Sequence, residues 1–146
     1  MALEKLKTSR LFHDLKDVTT EHFPQFGTKE ASLFVFEGEK AVPFSIQRMF
    51  TVKVSEPCTR GFHAHKACTQ LLVCLAGRSI VTVDDGMTRK DIVLDQPNLG
   101  LLIPPTIWAE QVYEANTVLI GLTDHPYDEA DYLRNYEDFL AFRKES

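Results

Sequence analysis

The sequence predicts an all-β sandwich or barrel in a single domain, closed by one C-terminal α-helix. Three observations carry this. Short apolar runs separated by turn residues recur from about residue 32 to residue 123, as in an all-β sandwich or barrel. Near Pro126 the apolar spacing turns helical. The 146 residues contain no repeat, low-complexity tract or Gly/Ser linker. A chain of this size buries roughly 68–70% of its unfolded surface and needs no disulfide staples.

In order, N-terminal strands are expected over about residues 1–40, with Leu33-Phe34-Val35-Phe36 the clearest run. The barrel core is expected over about 41–123. It contains Ile46 to Val54, Gln70 to Ala76 and Ser79 to Val83, then Ile92-Val93-Leu94, Leu99 to Ile103, Ile107 to Tyr113 and Thr117 to Leu122. Asp84-Asp85-Gly86 reads as a hairpin turn, its glycine free to take positive φ. Tyr132, Leu133, Tyr136, Phe139 and Leu140 then recur at helical spacing. Asp128, Glu129 and Asp131 lie at the start of this segment and Arg143 and Lys144 at its end, as the helix dipole favours, so a helix is expected over about 127–144.

A formal charge of −5 argues against a nucleic-acid binder, which would carry a basic field. The Gln70–Gly77 apolar run is far shorter than the ~20 residues a membrane span needs. Met1 to Lys7 has no apolar signal core, and Cys58, Cys68 and Cys74 have no CxxC spacing. Both point to reduced thiols in a cytoplasmic protein.

The chemistry concentrates in Arg60-Gly61-Phe62-His63-Ala64-His65-Lys66. Residues i and i+2 of a strand share a face, so His63 and His65 project side by side, about 7 Å apart along the strand. Two such imidazoles can hold a metal or act as proton donor and acceptor near neutral pH. Glycine before HxH, followed by Gln70 and Gly77, matches the first motif of cupin barrels, with Gln70 in the glutamate position. In Gly100 to Ala109 the second motif keeps its glycine and proline, but Ala109 stands where a histidine is expected. Two usual ligands are therefore replaced, which leaves a divalent ion underbound. Cys58 and Cys68 bracket the histidines without a usual zinc spacing.

From Pro43 onward the chain resembles the dTDP-4-keto-6-deoxyhexose 3,4-ketoisomerases, the WxcM-like sugar-nucleotide cupins. The likeness rests on Pro43-Phe44-Ser45-Ile46-Gln47-Arg48, on Arg60 to Gly77 with Asp84-Asp85-Gly86 behind it, and on Tyr127-Asp128-Glu129-Ala130-Asp131-Tyr132-Leu133-Arg134-Asn135-Tyr136. The resemblance implies a cupin-type jelly roll, a homodimer, and a dTDP-linked keto-deoxysugar bound without metal or other cofactor. It implies that His63 and His65 are the acid–base residues, with Arg60 near them. The product would be the 3-keto isomer, a substrate for an aminotransferase. The chain departs from the family's pattern at Phe50, where relatives tend to have tyrosine, at Ala109, and at Glu30-Ala31, where an Arg-Gly pair is frequent. Those changes keep a non-catalytic nucleotide-sugar-binding cupin and a 3,5-epimerase-like activity open as alternatives.

Moving a ketone from C4 to C3 needs a base for the C3 proton, an enediol, and a proton delivered to C4. Histidine, with an unperturbed pKa near 6.5, suits both proton roles. A diphosphate needs cations, and arginine grips phosphate oxygens bidentately. Arg48 shares a strand face with Ile46, Phe50, Val52 and Val54, so a guanidinium on an apolar face requires an internal carboxylate or a ligand phosphate. Arg60 lies beside the histidines. Trp108 is a candidate to flank the base or sugar, and Gln70 to bond a sugar hydroxyl or orient a histidine. The Tyr127–Tyr136 stretch is expected to cap the barrel outside the site, because its acidic start would repel a diphosphate. Lys66, His13, His22 and His125 are expected in surface or satisfied roles.

Overall fold

The structure, a computed structural model, describes residues 12–144. Met1 to Lys7 and the first part of the expected N-terminal strand region lie outside the described residues. Two five-stranded antiparallel sheets face each other. With strands numbered in chain order, one sheet runs β1 (Thr19–His22), β9 (Leu99–Ile103), β6 (Gln70–Ala76), β11 (Val118–Thr123) and β4 (Arg48–Lys53). The other runs β12 (Tyr132–Leu133), β5 (Cys58–His65), β10 (Trp108–Tyr113), β7 (Ser79–Asp84) and β8 (Arg89–Leu94). A separate hairpin joins β2 (Gln25–Gly27) to β3 (Ser32–Phe34). This is the jelly-roll architecture expected from the sequence.

Strand alternation builds the core. Leu72 and Cys74 of β6, Val81 and Val83 of β7, Leu101 and Ile103 of β9, Ala109 and Tyr113 of β10 and Leu119 of β11 meet between the sheets, all buried. Leu71 and Val73, one residue out of phase, pack on the opposite face with Phe23, Val42, Ile120 and Leu122. β6 is covered on both faces, which explains its unbroken apolar run. The Asp84–Gly86 turn joins β7 to β8 as expected, with Gly86 at φ 91°.

The C-terminal segment differs from expectation. Glu129–Asp131 forms a single 3-10 turn, Tyr132 and Leu133 pair as a strand with His65 and Ala64, and the helix α1 spans only Tyr136–Lys144. The cause is non-local. β5 offers a free edge, and the Asp131 carboxylate accepts from the backbone N–H groups of Ala67 (2.8 Å) and Cys68 (3.3 Å), tying the segment to the turn after β5. Within α1, Asn135 caps the start through the Asp138 N–H, Glu137 and Asp138 occupy the first turn, and Arg143 and Lys144 the last. Phe139, fully buried, packs with Ala64, Trp108 and Leu133 and secures the helix to the outer face of the second sheet. That burial is worth about 2–3 kcal/mol.

Candidate active site

The open end between the sheets holds a cavity of about 220 Å³. Arg48, Phe50 and Val52 of β4, Arg60 and His63 of β5, Gln70 and Leu72 of β6, Gln111 of β10, and Tyr132 and Arg134 beyond it line the space. Three arginines face it, and among the described residues no carboxylate lines it. An anion is the charge this basin accepts.

β4 presents its side chains as its alternation predicts, with Arg48, Phe50 and Val52 on the half-buried face. Gly121 stands opposite Phe50 in register, and a Cβ there would meet the Phe50 ring at 2.1 Å. Only glycine lets that ring lie across β11 and wall the cavity. The Arg48 guanidinium sits between two rings, 5.2 Å from Phe50 and 5.1 Å from Tyr127. Cation–π contact thus holds it on an apolar wall, its donors left for a ligand.

Arg60 reaches the same face as His63 through an irregularity. In a regular strand residues 60 and 63 point to opposite faces. Here Ala109 pairs with His63 but Gln111 with Arg60, so Phe62 is the extra residue of a β-bulge. Gly61 at φ 89° and Phe62 at φ 58° form it, and a Cβ on Gly61 would crowd the Ala109 carbonyl at 3.0 Å.

The two histidine rings lie 5.1 Å apart and nearly perpendicular, at 86°. Their surroundings differ. Nδ1 of His65 lies 2.9 Å from Asp131 Oδ2, and its Nε2 lies 3.1 Å from Gln70 Nε2. Asp131 therefore accepts from the Nδ1–H, and Nε2 accepts from the Gln70 amide. His63 lines the cavity, and its Nδ1 is buried without a hydrogen-bond partner among the described residues. Burial, then the neighbouring His65, lowers the His63 pKa to about 4, and the nearby Gly61 backbone only partly opposes this. Burial also lowers that of His65, against the opposing pull of Asp131. Both rings are neutral at pH 7.

Of the sequence candidates, His63, Arg48, Arg60 and Gln70 meet at the cavity, with His65 directly behind. Trp108 does not. It is 4% exposed on the outer face of β10, bonded through Nε1 to Glu110 at 2.8 Å and packed on Tyr136 and Phe139. Its parity, opposite to Ala109 and Gln111, turns it away from the cavity.

The sequence reading also misjudged the Tyr127–Tyr136 stretch. Tyr132 stacks 4.3 Å from His65 and 5.0 Å from His63, and the Arg134 guanidinium lies 4.2 Å over the Tyr132 ring. The acidity that argued against a site is answered locally. Glu129 accepts from Arg134 at 2.6 and 2.9 Å and from Tyr127, which hold its carboxyl down at about 2. The arginine was visible in the motif, but the β12 pairing that delivers it was not. The expectation for the isolated histidines stands: His13 meets the Pro105 carbonyl and His22 meets Gln96.

The positions that hold metal in other cupins converge here as His63, His65, Gln70 and Ala109, and they do not fit a metal. Ala109 has no donor and Gln70 supplies a neutral amide, so only two imidazoles remain of the four usual ligands.

A jelly roll with a histidine and three arginines in its mouth defines a cupin built to bind an anionic ligand beside a neutral imidazole. Residues 16–144 match the family described as FdtA: WxcM-like, C-terminal. The chain belongs to that family. It is 41% identical over 125 residues to the TDP-4-oxo-6-deoxy-alpha-D-glucose-3,4-oxoisomerase of Aneurinibacillus thermoaerophilus, covering 83% of this chain and 88% of the relative. Among solved structures it is similar to QdtA, a sugar 3,4-ketoisomerase of Thermoanaerobacterium thermosaccharolyticum in complex with TDP. That match has a TM-score of 0.85 and 34% identity, and covers 90% of this chain and 97% of the other. A 3,4-ketoisomerase from Helicobacter canadensis matches with a TM-score of 0.85 and 31% identity, over 88% and 98% of the two chains. A histidine-to-asparagine variant of QdtA is also known in complex with TDP-4-keto-6-deoxyglucose.

Proposed function

We propose that this protein interconverts the 4-keto and 3-keto forms of a dTDP-linked 6-deoxyhexose through an enediol. The observation that carries the proposal is His63: neutral, half-buried, its enclosed Nδ1 without a hydrogen-bond partner among the described residues, and lining a cavity ringed by Arg48, Arg60 and Arg134. The likeness to ketoisomerases over most of the chain supports the substrate class.

The cavity is smaller than the ~300–1,000 Å³ of typical ligand sites. It takes the hexose, and the nucleotide diphosphate crosses its mouth. His63 removes the C3 proton. Negative charge moves onto O4, where the guanidinium groups stabilise it. The His65–Asp131 pair moves protons between O3 and O4, with Gln70 yielding its hydrogen bond to the sugar. The proton held by His63, or one exchanged with solvent there, is then delivered to C4, which returns the imidazole to its neutral form and leaves the carbonyl at C3. Only C–H and O–H bonds break and re-form, so the chemistry requires no redox cofactor.

Incubation with dTDP-4-keto-6-deoxyglucose in D₂O, followed by NMR, tests the reading. Deuterium at C3 or C4 with a 3-keto product is expected. Exchange at C5 identifies an epimerase, and no exchange a binding protein.

Lysine at Arg48 or Arg60 keeps the charge but loses the fork. Each variant is expected to bind dTDP about tenfold more weakly by calorimetry, the loss of one charge-assisted hydrogen bond at ~1.5 kcal/mol. Unchanged affinity in both would move the nucleotide elsewhere.

The reading includes a homodimer of a cytoplasmic protein. No helix among the described residues is long and apolar enough to cross a membrane. The outer face of β4, β11 and β6 carries an apolar depression of about 470 Å³ lined by Phe34, Phe36, Ile46, Met49, Leu75, Ile120 and Leu122, with Met49 60% exposed. A second copy of the chain would cover this uncharged apolar face in a two-fold, self-complementary contact. Light scattering should give about twice the 16.6 kDa chain mass. Met49→Glu should shift the protein to monomer.

A further inference from the structure

Cys68 lies behind the catalytic strand, on the side of His65 away from the sugar cavity. A nitrogen of His65, the sulfur of Cys68 and a carboxylate oxygen of Asp131 lie within 4.8 Å of one another, and both His65 and Cys68 are buried. A small cleft opens at this point, lined by Arg48, His65, Cys68, His125, Asp128 and Asp131 among others. Asp128 and Asp131 outnumber its one guanidinium, and Asp124 meets Cys68 on the far side. The thiol meets the Thr69 carbonyl at 3.5 Å, and burial together with the Asp124 and Asp131 carboxylates raises its pKa to about 12, so in the metal-free protein it keeps its proton. We infer that His65, Cys68 and Asp131 form an inhibitory site for a thiophilic divalent cation such as Zn²⁺, separate from the sugar cavity and acting on it through the His65 tautomer.

The donor set is one imidazole, one thiolate and one carboxylate, a combination that suits Zn²⁺ and leaves a fourth position for water. The separations need only modest closure to reach tetrahedral coordination. Binding displaces the Cys68 proton to solvent. It also takes the Nδ1 lone pair of His65, so the ring proton shifts from Nδ1 to Nε2. Nε2, which accepts from Gln70 in the free protein, then becomes a donor. Asp131 is drawn from its hydrogen bond with the ring onto the metal. The proton relay proposed above loses its acceptor, and turnover stops although the cavity stays open. The inhibitory effect rests on the proposed ketoisomerase reading. The binding site itself does not.

Metal-free protein, prepared by dialysis against chelator, is the starting point. Titration with Co²⁺ should produce a sulfur-to-cobalt charge-transfer band, displaceable by Zn²⁺. Cys68→Ser and Cys68→Ala should each lose the band and bind Zn²⁺ at least about 100-fold more weakly, while His125→Ala should keep both. In the ketoisomerase assay, Zn²⁺ at saturation should suppress wild-type turnover at least about tenfold, reversed by chelator, and leave Cys68→Ser within about twofold of its metal-free rate. Equal Co²⁺ spectra in wild type and both Cys68 variants would overturn the site. Loss of the band in His125→Ala would also overturn it, in favour of the neighbouring Cys68–Asp124–His125 group. Metal binding without inhibition would overturn the tautomer mechanism. Metal-free wild type that turns over no dTDP-keto sugar would instead defeat the ketoisomerase reading, with the cobalt titration still deciding the site.

Discussion

The His63→Asn variant is expected to lose deuterium incorporation at C3 altogether and to drop turnover by ~10²–10⁴-fold, the usual contribution of a positioned base. His63 lines the cavity, is neutral at pH 7 and has an uncommitted buried nitrogen. Of the two rings it is the one that lines the cavity, whereas both nitrogens of His65 are held by Asp131 and Gln70. His65→Asn should behave differently. Its ring is held by Asp131 on one side and Gln70 on the other, suited to relaying protons rather than attacking carbon. This variant should slow product formation more than C3 exchange, because the first abstraction survives. His65 is 7% exposed, so losing its bond to Asp131 also costs about 1–3 kcal/mol of stability, whereas His63 lies outside the buried clusters. Both variants should still bind dTDP by calorimetry. Full turnover in the double variant would reduce the histidines to packing residues.

Much of this site follows from alternation along single strands. Arg48, Phe50 and Val52 share a face by sequence alone, and that face lines the cavity, whereas Ile46, expected with them, lies before β4 and packs in the outer apolar depression. The apolar run 70–76 reads as a strand covered on both sides, and it is one. Arg60 was placed beside the histidines by adjacency, but strict alternation would have sent it outward. The Gly61–Phe62 bulge reverses its side, and a Gly next to a bulky residue inside a strand was the only available hint. Trp108 shows the converse. Applying parity against Ala109 would have put it outside, under the C-terminal helix, where it is. Tyr132, Arg134 and Asp131 were out of reach for a different reason. Their local spacing is helical, and what overrides it is an edge pairing with His65 and Ala64, sixty-odd residues earlier in the chain. The acidic run misled because charge was counted without its partners: Glu129 is spent on Arg134 and Tyr127, and Asp131 on His65 and two backbone amides.

Acidification should destabilise the protein well before its carboxylates titrate. Burial, reinforced by His65, takes the His63 pKa from 6.5 to about 4 in the folded state. Above pH 6.5 the ring is neutral in folded and unfolded chains alike, and the full stability is present. Between about 6.5 and 4 the unfolded chain binds a proton that the folded one excludes, so stability falls as pH falls and the loss is complete below about 4. A shift of that size corresponds to about 3 kcal/mol. His65, also lowered, adds in the same direction. Urea midpoints measured across this range should therefore decline toward acid, and His63→Asn should flatten the slope while leaving the midpoint near pH 7.5 little changed. The same value governs the rate. The acid limb of kcat/KM reports the free enzyme's base, so it should fall with an apparent pKa well below the 6.5 of an ordinary histidine. An acid limb at 6.5, or a slope of stability on pH that survives in His63→Asn, would mean that the ring is solvated and protonatable, and the buried neutral base would have to be abandoned.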